Sequence, residues 1–216
     1  MTLDEIGRKN GTDKASDIHN YLRFYERRLA HLRDAQFLLL EIGVYHGGSV
    51  RTWTEYFPQA RIVGLDINGE CRRHERDNVA IRIGDASDSS FLFDVIGEFG
   101  RPLIVLDDGS HRWDHQIRTF QILFPVMRPS GFYIVEDLDT SFEAHLAQAP
   151  FQGFSTTSAF DYLSLLARRT VADAAFGDEK LPDLFIQENY RWVASLEFAR
   201  RTCIVAKQAA PGVGPS

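Results

Sequence analysis

The chain has 216 residues, 44% hydrophobic and 25% charged, with a formal net charge of −6. This is ordinary for a globular protein with one full core, and the acidic balance argues against nucleic acid as main partner, because a polyanion wants a basic face. No apolar run approaches the ~20 residues of a membrane span, and Met1-Thr2-Leu3-Asp4-Glu5 lacks the pattern of a secretory leader, so a cytoplasmic protein without a membrane partner is expected.

Residues 3–8 are predicted as a short helix, and Asn10-Gly11-Thr12-Asp13-Lys14 as a turn. Ser16 or Asp17 is expected to cap a helix ending before Asp34, whose Ile18, Tyr21, Leu22, Tyr25, Leu29 and Leu32 form a 3.6-residue stripe. Residues 36–42, apolar on both faces, read as a first, central parallel strand. The loop from Gly43 to Ser49 leads into a helix reaching about Tyr56, closed by Pro58. Strand two covers 61–65 and ends at Asp66. A polar, helical segment with Cys71 and His74 follows; Cys71 and the distant Cys203 read as reduced thiols, not a disulfide framework. Strand three covers 79–83 and ends at Gly84-Asp85. Residues 88–99 are predicted as a helix with Phe91, Leu92, Val95, Ile96 and Phe99 inward.

Strand four, 103–106, runs into Asp107-Asp108-Gly109-Ser110-His111. A helix over 113–124 and the turn Ser130-Gly131 precede strand five, 132–135, which ends in Glu136-Asp137. Residues 138–156 show little periodicity, and a loop that long in a compact domain is a functional lid or a mobile segment. A helix over 157–171, a connection over 172–182 and an antiparallel hairpin over 190–198 and 202–207 complete the pattern. The fold expected is α/β: a doubly wound, mostly parallel, seven-stranded Rossmann-like sheet with a C-terminal hairpin. One domain over 1–208 and a disordered tail over 209–216 are predicted.

In such folds ligands sit outside the carboxyl ends of the strands. Here each of the first five strands ends in something polar: Gly43, Asp66, Asp85, the pair Asp107 and Asp108, the pair Glu136 and Asp137. Acids collected at one edge cost energy without partners, so the collection is itself a functional signal.

Glu41-Ile42-Gly43-Val44-Tyr45-His46-Gly47 has the form E-x-G-x-x-x-G. It lacks the middle glycine that lets a pyrophosphate approach. Gly43 still allows close approach of a smaller ligand. Asp66, at a strand end, suits two ribose hydroxyls, and Asp85 an adenine amino group. A nucleoside without phosphates fits this set better than NAD, although each acid alone reads equally as a strand-end cap. Here the sequence resembles the class I S-adenosylmethionine-dependent methyltransferases. The resemblance implies donor binding by Glu41, Gly43, Tyr45, Ser49, Asp66, Asp85, Ala86 and Asp107. It also gives Thr12 and Lys14 a place over the methionine carboxylate, where an ordinary turn is the competing reading.

Gly11-Thr12-Asp13-Lys14 with His19, Tyr21, Tyr25 and Glu26, then Asp107-Asp108-Gly109-Ser110-His111, then Ile134-Val135-Glu136-Asp137-Leu138, sharpen the likeness. Over about 11–141 the chain resembles the metal-dependent sugar O-methyltransferases of antibiotic biosynthesis, of the mycinamicin and macrocin type. The resemblance implies Mg2+ held by Asp108, Glu136 and Asp137, and His111 as the base. The residue chemistry agrees: magnesium takes oxygen ligands, a bound metal acidifies a hydroxyl, and an imidazole titrates near neutrality. Asp107 is expected to support these groups rather than bind metal. Phe142, Phe151, Phe154 and Phe160 are candidates to cover the acceptor, with core packing the alternative. His115 is read as a packed or surface residue near the site, and His31, His46, His74 and His145 carry no role. A small-molecule substrate, a glycosylated natural product, and a homo-oligomeric assembly are expected. The alternatives are a catechol-type enzyme acting on an aromatic diol, a non-methylating relative like a cephalosporin hydroxylase component, and a non-enzymatic adenosyl-binding module.

Overall fold

The structure, a computed structural model, describes residues 1–142, 151–172 and 183–210. The chain divides into two compact units, Met1–Gly109 and Ser110–Ser216.

In the first unit, helix α1 spans Leu3–Asn10, with Thr2 and Glu5 forming a reciprocal capping box and Gly11 turning the chain out at φ 69°. Helix α2, Leu22–Leu29, is shorter than the 3.6-residue stripe predicts. The expected cap, Ser16, is drawn elsewhere: its amide and hydroxyl both bond the Asp4 carboxylate, at 2.7 Å each. Asn20, at φ 62°, then breaks the helical path. Strand β1, Leu38–Ile42, pairs in parallel with β2, Arg61–Asp66, and with β4, Ile104–Asp107, while β3, Val79–Ile83, pairs with β2. Helices α3, Gly48–Tyr56, and α4, Ser89–Phe99, are the crossovers; Asp88 caps α4 through the Ser90 amide. The polar segment around Cys71 is a 3-10 turn, Gly69–His74. Leu40, Ile62, Val63, Ile81 and Val105 are wholly buried, and this branched apolar set stabilises the sheet by roughly 2 kcal/mol per side chain.

In the second unit, α5 spans Trp113–Val126, β5 Phe132–Val135, α6 Ala159–Ala172 and α7 Leu184–Asn189. Helix α7 is absent from the sequence expectation, although Asp183 caps it through the Ile186 amide. Strands β6, Val193–Ala199, and β7, Thr202–Lys207, form the expected hairpin, and β7 also pairs antiparallel with β5. Buried Lys207 donates to the carbonyls of Phe124, Pro125 and Met127 at 2.7, 2.8 and 3.0 Å, closing the end of α5.

The seven strands run in the order β3-β2-β1-β4-β5-β7-β6, the sheet class that the sequence predicts. Cys71 and Cys203 are both free and buried. Among the described residues no helix is long and apolar enough to cross a membrane. His145, most of the 172–182 connection and the tail from residue 211 lie outside the described residues.

Candidate functional site

In the first unit the strand ends align by register. Ile42 is the Cα partner of both Leu65 and Asp107. The Gly43 amide bonds the Leu65 carbonyl at 2.8 Å, and the Asp108 amide bonds the Ile42 carbonyl at 2.9 Å. This carries Gly43, Asp66 and Asp108 to one edge. Gly43 sits at φ +91°, and a Cβ on it would lie 2.0 Å from the Asp108 carbonyl oxygen. The backbone therefore demands a glycine there, apart from any ligand.

Asp66 is held by three amides. Its Oδ2 accepts from Val44 and Tyr45 at 2.9 and 3.0 Å, and its Oδ1 from Asn68 at 2.8 Å. Burial alone would raise its pKa, but the Asn68, Tyr45 and Val44 amides outweigh it and hold the carboxyl below its ordinary range. The acid predicted for the ribose thus also shapes the loop after β1. Tyr45, whose amide bonds Asp66, and Ile67, next to it in the chain, are 74% and 76% exposed, so apolar surface flanks an acceptor-rich carboxylate.

Asp85 is exposed and accepts from the Ser87 amide at 2.8 Å, and Ala86 is half-buried. Ser49 is buried in the first turn of α3. The 11–12 turn packs on that same turn: a Cβ on Gly48 would stand 3.1 Å from Thr12 Cα. Thr12 is buried, and Lys14 beyond it is 1% exposed. The Lys14 ammonium donates to Asp108 Oδ2. The lysine given to the donor and the aspartate given to the metal are therefore partners. Glu41 is wholly buried beside the Ser49 and Trp53 side chains, whose approach to its carboxyl falls short of well-formed hydrogen bonds. Burial pushes its pKa up to about 7, against the pull of the Lys14 charge. Asp107 is 3% exposed at the end of β4.

In the second unit, His111 and Asp137 meet, with Nε2 3.5 Å from Oδ2. His111 Nδ1 is buried without a hydrogen-bond partner among the described residues. Both residues have positive φ, 56° and 53°, a conformation that few non-glycine residues adopt and that clusters at functional sites. Glu136, just before, is 1% exposed, and Gln116 Nε2 donates to its carbonyl at 2.8 Å. Sequence reasoning missed Arg201, in the turn between β6 and β7. Its guanidinium lies 3.2 Å from Asp137 Oδ1 and 2.9 Å from Asp139 Oδ1, and its carbonyl accepts from the Leu138 amide at 2.8 Å. Nothing in the local sequence at Arg201 signals this; only the pairing of β7 with β5 creates it. His115 Nδ1 meets the Ser110 hydroxyl at 2.9 Å. Phe142, Phe160 and Phe198 form a ring cluster, Phe154 is 94% exposed with Arg112 over its ring, and Phe151 contributes its carbonyl to the Trp113 amide.

No protein-family model matches the chain. Over 147 residues it is 39% identical to the 8-demethyl-8-alpha-L-rhamnosyl tetracenomycin-C 2'-O-methyltransferase of Streptomyces olivaceus, covering 65% of this chain and 38% of that one. Over 188 residues it is 31% identical to the demethylmacrocin O-methyltransferase of Streptomyces fradiae, covering 84% and 46%. The solved structure of the MycE methyltransferase of mycinamycin biosynthesis, in complex with Mg, SAH and mycinamycin VI, matches with a TM-score of 0.81 at 26% identity, over 100% of this chain and 57% of that one. The chain thus spans less than half the length of the first two relatives. In sequence and in fold, the chain is similar to class I S-adenosylmethionine-dependent methyltransferases, and among these to the sugar O-methyltransferases of the mycinamicin and macrocin type.

Proposed function

We propose that the chain is an S-adenosylmethionine- and Mg2+-dependent O-methyltransferase that methylates a sugar hydroxyl of a glycosylated natural product in antibiotic biosynthesis. In this reading residues 1–208 work as one methyltransferase domain, cytoplasmic and homo-oligomeric. The observation that carries it is the approach of His111 to Asp137 at 3.5 Å, in a chain whose relatives are named for sugar methylation.

The residues present fit both groups. Asp108, Glu136 and Asp137 offer carboxylate oxygens, the donors that magnesium takes. Asp66, flanked by exposed Tyr45 and Ile67, offers what a nucleoside needs: an acceptor for hydroxyls beside apolar surface. When bound, Mg2+ acidifies the acceptor hydroxyl and S-adenosylmethionine brings a methyl already activated on sulfonium.

The chain's own residues do the rest. Asp137 Oδ2 lies 3.5 Å from His111 Nε2 and favours the imidazolium that forms when this nitrogen takes the hydroxyl proton. Nδ1 is buried, out of reach of an acceptor among the described residues. Arg201 holds the other Asp137 oxygen and stops the carboxylate from turning. Orientation and deprotonation are most of what transfer from a strong electrophile asks of a protein.

Incubation of the full chain with labelled S-adenosylmethionine, Mg2+ and a panel of glycosylated and catechol acceptors tests this. Methyl transfer to a glycosylated acceptor, lost with excess chelator, is the expected result. Turnover that survives chelation, or failure to bind S-adenosylhomocysteine by calorimetry, overturns the reading. Exclusive transfer to catechols would reassign the acceptor.

A further inference from the structure

Thr140 lies in the 3-10 turn Leu138–Ser141 after β5 and is 4% exposed. Its single hydroxyl proton is shared between two carbonyls, that of Asp137 at 2.9 Å and that of His111 at 3.1 Å. The first is the local back-bond that threonines commonly make three residues upstream. The second spans 29 residues of sequence and is not local. The Thr140 carbonyl in turn accepts from Trp113 Nε1 at 3.0 Å, a buried bond reaching back to the first residue of α5. One short side chain therefore ties the backbone after β4 to the backbone after β5.

The two residues that it ties are His111 and Asp137, each in the left-handed region, at φ 56° and 53°. Neither carries the glycine that such a conformation favours. A strained backbone persists only where its surroundings over-determine it. The turn around Asp137 is held from the other side by the Leu138 amide to the Arg201 carbonyl. For His111, the Thr140 hydroxyl reaches its carbonyl from beyond its own loop.

We propose that Thr140 is a positioning residue: its hydroxyl fixes the backbone of His111 against that of Asp137, and so sets the angle at which the imidazole meets the acceptor and the carboxylate meets the metal. This rests on the reading of His111 as base and Asp137 as metal ligand. Displacements of about an ångström at such groups can cost two orders of magnitude in rate, and groups that orient metal ligands typically change metal affinity 10–100-fold when removed.

The test compares wild type with Thr140→Val, which keeps shape and removes the hydroxyl, and Thr140→Ser, which keeps the hydroxyl. Thr140→Val is expected to lower kcat at least tenfold, with the KM for S-adenosylmethionine within twofold. Calorimetry should show its Mg2+ affinity reduced severalfold, while Thr140→Ser returns both quantities to within about threefold of wild type. A Thr140→Val protein with wild-type kcat and wild-type Mg2+ affinity overturns the proposal, as does a Thr140→Ser protein as impaired as Thr140→Val. Should Thr140→Val fail to fold by circular dichroism, Thr140→Ala is read in the same way. Wild type distinguishes the two levels. If wild type transfers no methyl group, the functional reading fails, and the Mg2+ affinities of the variants still decide the role of Thr140.

Discussion

The carbonyl oxygen of Asp108 occupies the space where residue 43 would carry a side chain, 2.0 Å from an ideal Cβ on Gly43. The glycine proposed for the donor and the acid proposed for the metal are thus fitted together through backbone, in a position where φ is +91°.

Gly43→Ala should therefore fail twice. The methyl meets a carbonyl that cannot swing away like a side-chain tip, and alanine dislikes that φ at a cost of roughly 1–3 kcal/mol. The melting temperature should fall by more than about 5 °C for a chain of this size, and calorimetric affinity for S-adenosylhomocysteine should fall with it. An alanine variant as stable as wild type would show that the two strand ends are not packed as described.

Asp66 carries a prediction about loop order. Removing its carboxylate strips the acceptor from the Val44, Tyr45 and Asn68 amides. Hydrogen bonds to a charged group contribute roughly 1.5–3 kcal/mol each. Asp66→Ala should speed hydrogen exchange at the Val44 and Tyr45 amides and weaken S-adenosylhomocysteine binding by at least about tenfold. Unchanged exchange at those amides would reduce Asp66 to a ligand contact without a role in the loop.

Glu41 makes stability depend on pH in a defined direction. Its folded pKa, about 7, lies above the ordinary 4.5 because burial disfavours the charged form. For a group raised on folding, stability is fully present below the unfolded value and is lost as pH rises through the folded one. The window is therefore pH 4.5 to about 7, and a displacement of that size is worth roughly 3 kcal/mol. Glu41→Gln removes the titration and keeps the size. Melting temperature should decline from pH 5 to pH 8 in wild type and much less in Glu41→Gln. Asp4, Asp66 and Asp114, whose pKa values are lowered in the fold, act with the opposite sign: they stabilise above the ordinary carboxylate range and cease to do so in acid. Both proteins should share that acid limb. Parallel curves between pH 5 and pH 8 would remove the buried carboxylate from the account.

What the sequence made legible, and what it did not, divides by the range of the interactions. Strands β1 to β5 stand out as apolar runs broken by an acid or a glycine, a pattern that burial on both faces imposes locally. Asp66, Asp108, His111 and Asp137 were visible because they follow those runs directly. The helix expected from Ser16 onward failed because Asp4, twelve residues upstream, takes both polar groups of Ser16; no local pattern encodes that competition. Helix α7 was overlooked although its cap, Asp183, was in plain view. Thr140 and Arg201 were out of reach for a different reason. Their partners lie 29 and 64 positions away, a separation set only once β5, β7 and the start of α5 are packed.

The pairings of Lys14 with Asp108 and of Arg201 with Asp137 also bear on how the molecule reaches its native state. An acid cluster left to itself would resist collapse until a divalent ion neutralised it, as in small domains that fold only around their metal. Here Asp108 and Asp137 each have a counter-charge from their own unit of the chain, covalently attached and present from synthesis. On the proposed function, magnesium loading is an exchange of partners at Asp108 and Asp137, with Lys14 and Arg201 giving way to the ion.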